Sequence, residues 1–456
     1  EPKPGRYDWV VSFDLNSLYP HLIMQYNISP ETLRETRHSS ASVERILNQE
    51  IEISGDYAVC ANGAQYRKDI QGFLPEMMQK IYDERTISKK KMLAAKRMYE
   101  NEPSAKLQKD ISKFNNIQMA RKIQLNSAYG AIGNQYFRYY NLANAEAITL
   151  SGQVSIRWIE NKMNEYLNRV LKTDGEDYVI ASDTDSIYLH LGPLVESVYK
   201  GREKTDESVV TFLNKVCEME LEKYIESSYE TLAEYVNAYA NKMVMKRENI
   251  ASSGIWTAKK RYILNVWDSE GVRYKDPKLK MMGIEAVKSS TPAPCRTAIR
   301  DALKVMMNGS EQELITFIDT FKDEFNSLPP EDIAFPRSVN GLRKFKASGT
   351  VYSKGTPLHV RGTLLYNFHV SKNKLEYKYP LVQEGEKIKY LYLRRPNKIN
   401  ENVISFLNTF PKELGLEGQI DRDAQFKKSF LDPLRIITNV IGWETERVAN
   451  LEFLFG

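Results

Sequence analysis

Polar and apolar positions change rhythm several times along this chain, and each change suggests an element. Trp9-Val10-Val11-Ser12-Phe13 is a short β-favouring run that stops at Asp14, and helical sequence follows Pro20. A strand that ends in a carboxylate before a turn is well placed to hold a metal. Residues 57–68 carry Asn62-Gly63 between short strand-like runs, which signals a hairpin. From Pro75 to about Glu100 the pattern becomes a long basic helix, and a second helix runs from about Ala105 to Gly130. The breaker Asn101-Glu102-Pro103-Ser104 lies between them, so the two helices should form an antiparallel hairpin that projects from a body. Tyr178 to His190 alternates like a β-hairpin with Ser182-Asp183-Thr184-Asp185-Ser186 at its tip. Trp256 to Tyr274 reads as another hairpin, turning at Asp268-Ser269-Glu270-Gly271. Beyond about residue 290 the chain is mixed and mostly helical, with a lysine-rich loop-and-strand region around 337–395. The pattern predicts an α+β fold: a sheet-based core interrupted by a helical hairpin and followed by a separate C-terminal unit.

Length and composition narrow this only slightly. At 456 residues the chain exceeds one compact core and predicts two or three units, and 42% hydrophobic residues suit a packed globular protein. Sixty-four Lys and Arg against 59 Asp and Glu give a net charge of +5, too mild to identify a nucleic-acid partner. Cys60, Cys217 and Cys295 are scattered without metal-ligand spacing and read as reduced thiols of a cytosolic-type compartment. No run of eighteen apolar residues and no signal peptide is present, so no membrane partner is expected. Glu1-Pro2-Lys3-Pro4-Gly5 resembles the tail of a linker.

Candidate chemistry begins with carboxylates. Alternate strand residues point the same way, so Asp183 and Asp185 could share one face of their turn, where a divalent cation would relieve their repulsion. A solvated hairpin tip explains the same pair equally simply. Arg85 and Lys89 are four apart on the first long helix, and Lys122, Asn126 and Tyr129 form a stripe on the second. Arg grips phosphate oxygens bidentately and Lys adds a compact charge. Lys90, Lys91, Lys96 and Arg97 stand nearby, so a solvated basic surface is the alternative.

Three motifs in order resolve these alternatives by likeness. Asp14-Leu15-Asn16-Ser17-Leu18-Tyr19-Pro20, then Lys122-Ile123-Gln124-Leu125-Asn126-Ser127-Ala128-Tyr129-Gly130, then Asp183-Thr184-Asp185-Ser186 resemble the motifs of family B DNA polymerases. The helix from Pro75 to Lys89 resembles the first finger helix of the T-even-type bacteriophage enzymes. The resemblance implies a right-hand architecture: palm at 1–74 and 135–284, fingers at 75–134, thumb at 285–456. It implies DNA-directed DNA synthesis in phage replication within the cytoplasm of an infected bacterium. Asp14 and Asp185 would bridge two Mg²⁺ ions (Mn²⁺ as a substitute) about 3.5–4 Å apart, with the Leu15 carbonyl as a further ligand and Asp183 in support. Arg85, Lys89, Lys122 and Asn126, with the Ser17 and Leu18 amides, would hold the incoming dNTP, and Tyr19 would reject a ribose 2′-hydroxyl.

The same likeness assigns contacts beyond the catalytic carboxylates. Lys259-Lys260-Arg261-Tyr262 opens a strand after Trp256-Thr257-Ala258 and matches the family's primer-facing motif, with Lys260 neutralising charge near the metals; a protected edge strand is the plainer reading. Glu248, Asp268 and Glu285 match supporting acidic positions, whereas Lys246 departs from an aspartate in the T-even enzymes. Lys288-Ser289-Ser290-Thr291-Pro292 and His359-Val360-Arg361-Gly362 match stretches suited to primer–template phosphates. Phe453, Leu454 and Phe455 match a peptide that docks on a sliding clamp. Only thirteen residues precede Asp14, so no proofreading exonuclease is expected in this chain and a separate N-terminal or exonuclease chain is a candidate partner. The rival readings are a reverse transcriptase or RNA polymerase, and a non-catalytic DNA- and clamp-binding half of a split polymerase.

Overall fold

The computed structural model describes residues 2–347 and 349–447. They pack as two units. The first takes residues 2–3, 7–254 and 264–280; the second takes 4–6, 255–263 and the described part of 281–456.

The first unit opens with β1 (Gly5–Leu15), α1 (Leu18–Tyr26), α2 (Val43–Leu47), β2 (Tyr57–Val59) and β3 (Gln65–Arg67). Next come three long helices, α3 (Phe73–Asn101), α4 (Ala105–Ile132) and α5 (Leu142–Leu171), then β4 (Val179–Asp183) and β5 (Ser186–His190). The helices α6 (Gly192–Tyr199), α7 (Asp206–Val216) and α8 (Glu222–Tyr235) lead to β6 (Met245–Ala258), β7 (Arg261–Ser269) and β8 (Val272–Met282). Gly5 already belongs to β1, so the linker-like opening is shorter than it reads in the sequence.

One sheet, ordered β4-β5-β1-β6-β7-β8, organises this unit, although residues 5–6, 255–258, 261–263 and 281–282 of its strands are grouped with the second. Its central strand β1 reads Trp-Val-Val-Ser-Phe because it is covered on both faces, and Val10 to Phe13 are all buried. Val11 and Phe13 join Leu22 of α1, Ile148 and Ile159 of α5, Leu189 of β5 and Tyr229 of α8 in one apolar cluster. Burying a side chain of this size contributes roughly 1.5–3 kcal/mol. The strand ends where Asn16 and Ser17 turn the chain, Ser17 in the left-handed region at φ 45°.

The helical hairpin follows the sequence pattern closely. Breaker residues stop α3 after Asn101, and the Ser104 hydroxyl accepts from the Leu107 amide at 3.2 Å to start α4. Both helices are largely exposed along their length, and Arg121 bridges them to Glu84 at 2.7 Å.

The β6–β7 region differs from its expected form. Lys259 and Lys260 are the tip of a hairpin between β6 and β7, not the opening of a strand, and Lys260 takes φ 59°. No Asn-Gly or Gly pair marks that turn, so composition gave no signal for it. A second turn, Glu270-Gly271 with φ of 51° and 79°, joins β7 to β8 at the expected place.

The second unit contains α9 (Ala293–Asn308), α10 (Glu311–Ser327), α11 (Pro330–Ile333), β9 (Phe335–Ser338), α12 (Leu342–Phe345) and α13 (Leu358–Lys372). It closes with β10 (Lys387–Tyr392), β11 (Val403–Phe406), α14 (Arg422–Phe426) and α15 (Asp432–Ile441). Phe321, Phe325, Phe426 and Phe430 form an aromatic cluster, with Phe321 and Phe430 centroids 4.8 Å apart. His359-Val360-Arg361-Gly362 forms the first turns of α13. A Cβ on Gly362 would lie 2.6 Å from the Ser405 hydroxyl, so glycine lets this helix rest on β11.

Candidate active site

The first and third motifs meet through the sheet. Asp14 pairs in register with Ser186, and the Leu15 amide donates to the Asp185 carbonyl at 2.7 Å. Thr184 adopts φ 57°, so Thr184-Asp185 is a two-residue turn and strand alternation does not describe Asp183 and Asp185. Burial first, then the neighbouring charges of Asp185 and Glu248, push the Asp14 carboxyl up to about 7 against the opposing pull of Lys89 and Lys122. Burial also raises Asp185, with Asp183 and Glu248 adding to it and its own backbone amide and Lys122 opposing. Two carboxylates from distant parts of the chain therefore feel each other and the same lysine.

Their surroundings come from α1, α3 and α4. The Arg85 guanidinium donates to the Ser17 hydroxyl at 2.6 Å, tying α3 to the turn that follows Asp14. His21 Nδ1 meets the Ser17 carbonyl at 3.0 Å, and burial holds this imidazole down near 4, so it is neutral at physiological pH and donates. Tyr19 of the first motif leans on Tyr129 of the second, with ring centroids 4.6 Å apart. Lys122 and Asn126 lie exposed one turn apart on α4.

This donor set suits a cation that keeps open positions. Burying two acidic groups side by side is costly unless a proton or cation joins them. Among the described residues no three His, Cys, Asp or Glu side chains gather into a cage. Divalent ions that retain water and phosphate oxygens bind to such partial carboxylate sets.

Over residues 1–421 the chain matches the family model for DNA polymerase family B. The chain belongs to that family. It is 36% identical over 510 aligned residues to the DNA-directed DNA polymerase of Escherichia phage RB69, and 34% identical over 509 to that of Enterobacteria phage T4. Each alignment covers 100% of this chain and 56% of the relative. A DNA polymerase of Pyrococcus glycovorans is 24% identical over 410 residues, covering 89% of this chain and 42% of the relative. The family B chain thus spans about half the length of these curated relatives.

Other motif residues of this family B chain are engaged in local contacts. Glu248 accepts from Lys280 at 2.8 Å and from the Ser12 hydroxyl at 3.3 Å, within electrostatic reach of both aspartates. Asp268 is buried and ion-paired to Arg247 and Arg273, which makes it an anchor of the β7–β8 hairpin. Lys246, the position that departs from the motif likeness, pairs with Glu222 at 2.6 Å.

In the second unit, Arg261 grips Glu285 through two bonds of 3.0 and 2.9 Å, and Lys288 reaches the same carboxylate at 2.8 Å. Burial works to raise Glu285, but the bonds from Arg261 and Lys288 outweigh it and hold the carboxyl below its usual range. Both cations therefore carry a local partner. Tyr262 is buried and stacks on Trp256, with centroids 5.3 Å apart. Lys259, Lys260 and Ser289 are exposed. Phe453, Leu454 and Phe455 lie outside the described residues.

Glu270 is the neighbour that sequence reasoning missed. Its carboxylate sits 2.5 Å from Lys89, a contact between residues 181 positions apart that depends on how β7 and β8 turn beneath α3. The turn was legible, but its partner was not.

Proposed function

We propose that this chain carries out template-directed DNA synthesis, adding dNMPs to a primer 3′ end by phosphoryl transfer. The observation that carries the reading is the convergence of Asp14 and Asp185 within mutual electrostatic reach of Lys122. Residues 1–74 and 135–284 serve as palm, 75–134 as fingers and 285–456 as thumb in this reading.

Asp14 and Asp185, with the Leu15 carbonyl, would hold two Mg²⁺ ions, and the donor chemistry fits them. When bound, such ions activate the primer hydroxyl and neutralise charge on the leaving pyrophosphate. Arg85, Lys89 and Lys122 bring three positive charges to the triphosphate, and the Ser17 and Leu18 amides at the start of α1 add donors. Tyr19, braced by Tyr129, walls off the space beside the sugar, so a 2′-hydroxyl meets a ring that cannot retreat. Lys259, Lys260 and Ser289 are offered to duplex phosphates.

Primer extension on a DNA template with Mg²⁺ tests the proposal. Extension with dNTPs, abolished by chelation, is the expected result, and Tyr19→Ala should raise ribonucleotide use about tenfold or more. A chain that extends no primer with Mg²⁺ or Mn²⁺ contradicts the activity; unchanged sugar selectivity contradicts the role of Tyr19.

A further inference from the structure

The β7–β8 hairpin holds α3 at three successive places. Lys89 pairs with Glu270 at 2.5 Å, and Arg97 donates to the carbonyls of Gly271 at 3.1 Å and Glu270 at 3.5 Å. Glu100 accepts from Lys278 at 2.6 Å. Gly271 takes φ 79° at its turn, a left-handed backbone conformation in which a side chain would be strained.

Beside these contacts lies a cavity of about 330 Å³ lined by Asn16, Arg85, Lys89, Lys90, Arg97 and Glu270 among others. That volume is ample for a chain of phosphates. Arg85 presents a buried Nε with no hydrogen-bond partner among the described residues, although its Nη1 is satisfied by Ser17. A buried guanidinium nitrogen is costly to leave without an acceptor, so an oxygen of water or of a bound phosphate is suited to it. Lys89 stands one helical turn away and already has an anion, the Glu270 carboxylate, on its ammonium group.

We propose that Glu270 is a built-in competitor for the triphosphate. In the nucleotide-free chain its carboxylate takes the place on Lys89 that a phosphate oxygen takes on binding. An arriving triphosphate must then displace Glu270, which loosens the first of the hairpin's three holds on α3. The two anions exclude each other at one ammonium group, so the pair sets nucleotide affinity. This rests on the assignment of Arg85 and Lys89 to the triphosphate.

Glu270→Gln keeps the shape and removes the charge. Titration calorimetry with inorganic tripolyphosphate, on the full chain without DNA, should show about two- to fivefold tighter binding, the range expected for freeing a partly exposed lysine from its partner. Glu100→Gln breaks the Lys278 hold without touching Lys89 and should leave affinity unchanged. In a Lys89→Met background the Glu270→Gln gain should vanish. In primer extension the same substitution should lower the KM for dNTP with little change in kcat. Unchanged or weaker tripolyphosphate binding in a folded Glu270→Gln protein overturns the proposal, as does an equal gain from Glu100→Gln, which would make the hairpin a structural strap only. Tighter tripolyphosphate binding in a chain that extends no primer would uphold the competitor role while removing the polymerase reading.

Discussion

A carboxyl pushed up to about 7 is an unusual thing for a stable protein to keep, and Asp14 keeps one at the end of its central strand. The unfolded chain releases this proton near pH 4, whereas the metal-free folded chain holds it to about pH 7. Between those values the folded state binds the extra proton, so the contribution of Asp14 to stability declines as pH rises through the window. Asp14→Asn should therefore unfold later than wild type at pH 8, by about 1–3 kcal/mol once partial solvent exposure is allowed for, and match it below pH 4. Thermal unfolding in EDTA at both pH values checks this, and Asp14→Asn less stable than wild type at pH 8 would contradict it. Adding Mg²⁺ at pH 8 should raise the melting temperature of wild type more than that of the variant. Sequence alone offered Asp14 as a strand-end carboxylate. Its partner Asp185, 171 positions away, could be joined to it only through a motif likeness, because the join is made by the pairing of β1 with β5.

Elements hold that pairing in place, and Asn27 is the clearest fastener among them. It ends α1 in the left-handed region at φ 58°. Its side-chain amide donates to the carbonyls of Arg67 and Ile70 at 2.8 Å each, while its oxygen accepts from the Gly72 amide at 2.8 Å, just before α3. Asn27→Ala would take the side-chain partner from the buried Gly72 amide and from the part-buried Arg67 and Ile70 carbonyls, and should cost about 2 kcal/mol, read by urea unfolding. Asn27→Asp keeps only the bond from Gly72 and should still destabilise; an Asn27→Ala loss under about 0.5 kcal/mol would contradict the role. At this scale the long helices α3 and α4 were easy to read, since each carries a sustained helical pattern and a breaker separates them. The Lys259-Lys260 turn was not, because its residues carry no turn preference and strand pairing alone enforces it. Arg261 and Tyr262 read as a basic surface motif, yet one is bound to Glu285 and the other is stacked on Trp256. The charge pattern shows where cations are, not which carboxylate has already taken them.

Across the whole molecule the mild net charge of +5 hides local cationic surfaces on both units, among them Lys90, Lys122, Lys259 and Lys260. If these serve duplex phosphates and nucleotide, primer–template affinity should fall at least about tenfold between 50 and 200 mM salt, with a linear log–log slope. A fluorescence-anisotropy titration that is flat with salt would contradict that use. Membership of DNA polymerase family B rests on a match across residues 1–421, and the proposed chemistry rests on the meeting of its first and third motifs. Groups that act as one unit give non-additive losses on mutation. The most direct measurement is therefore the single-turnover rate of nucleotide addition for wild type, Asp14→Asn, Asp185→Asn and the double variant. The account predicts that each single change costs at least about a thousandfold and that the double change costs little more than either alone. Near-normal rates in either single variant, or losses that multiply in the double, would contradict a shared catalytic centre.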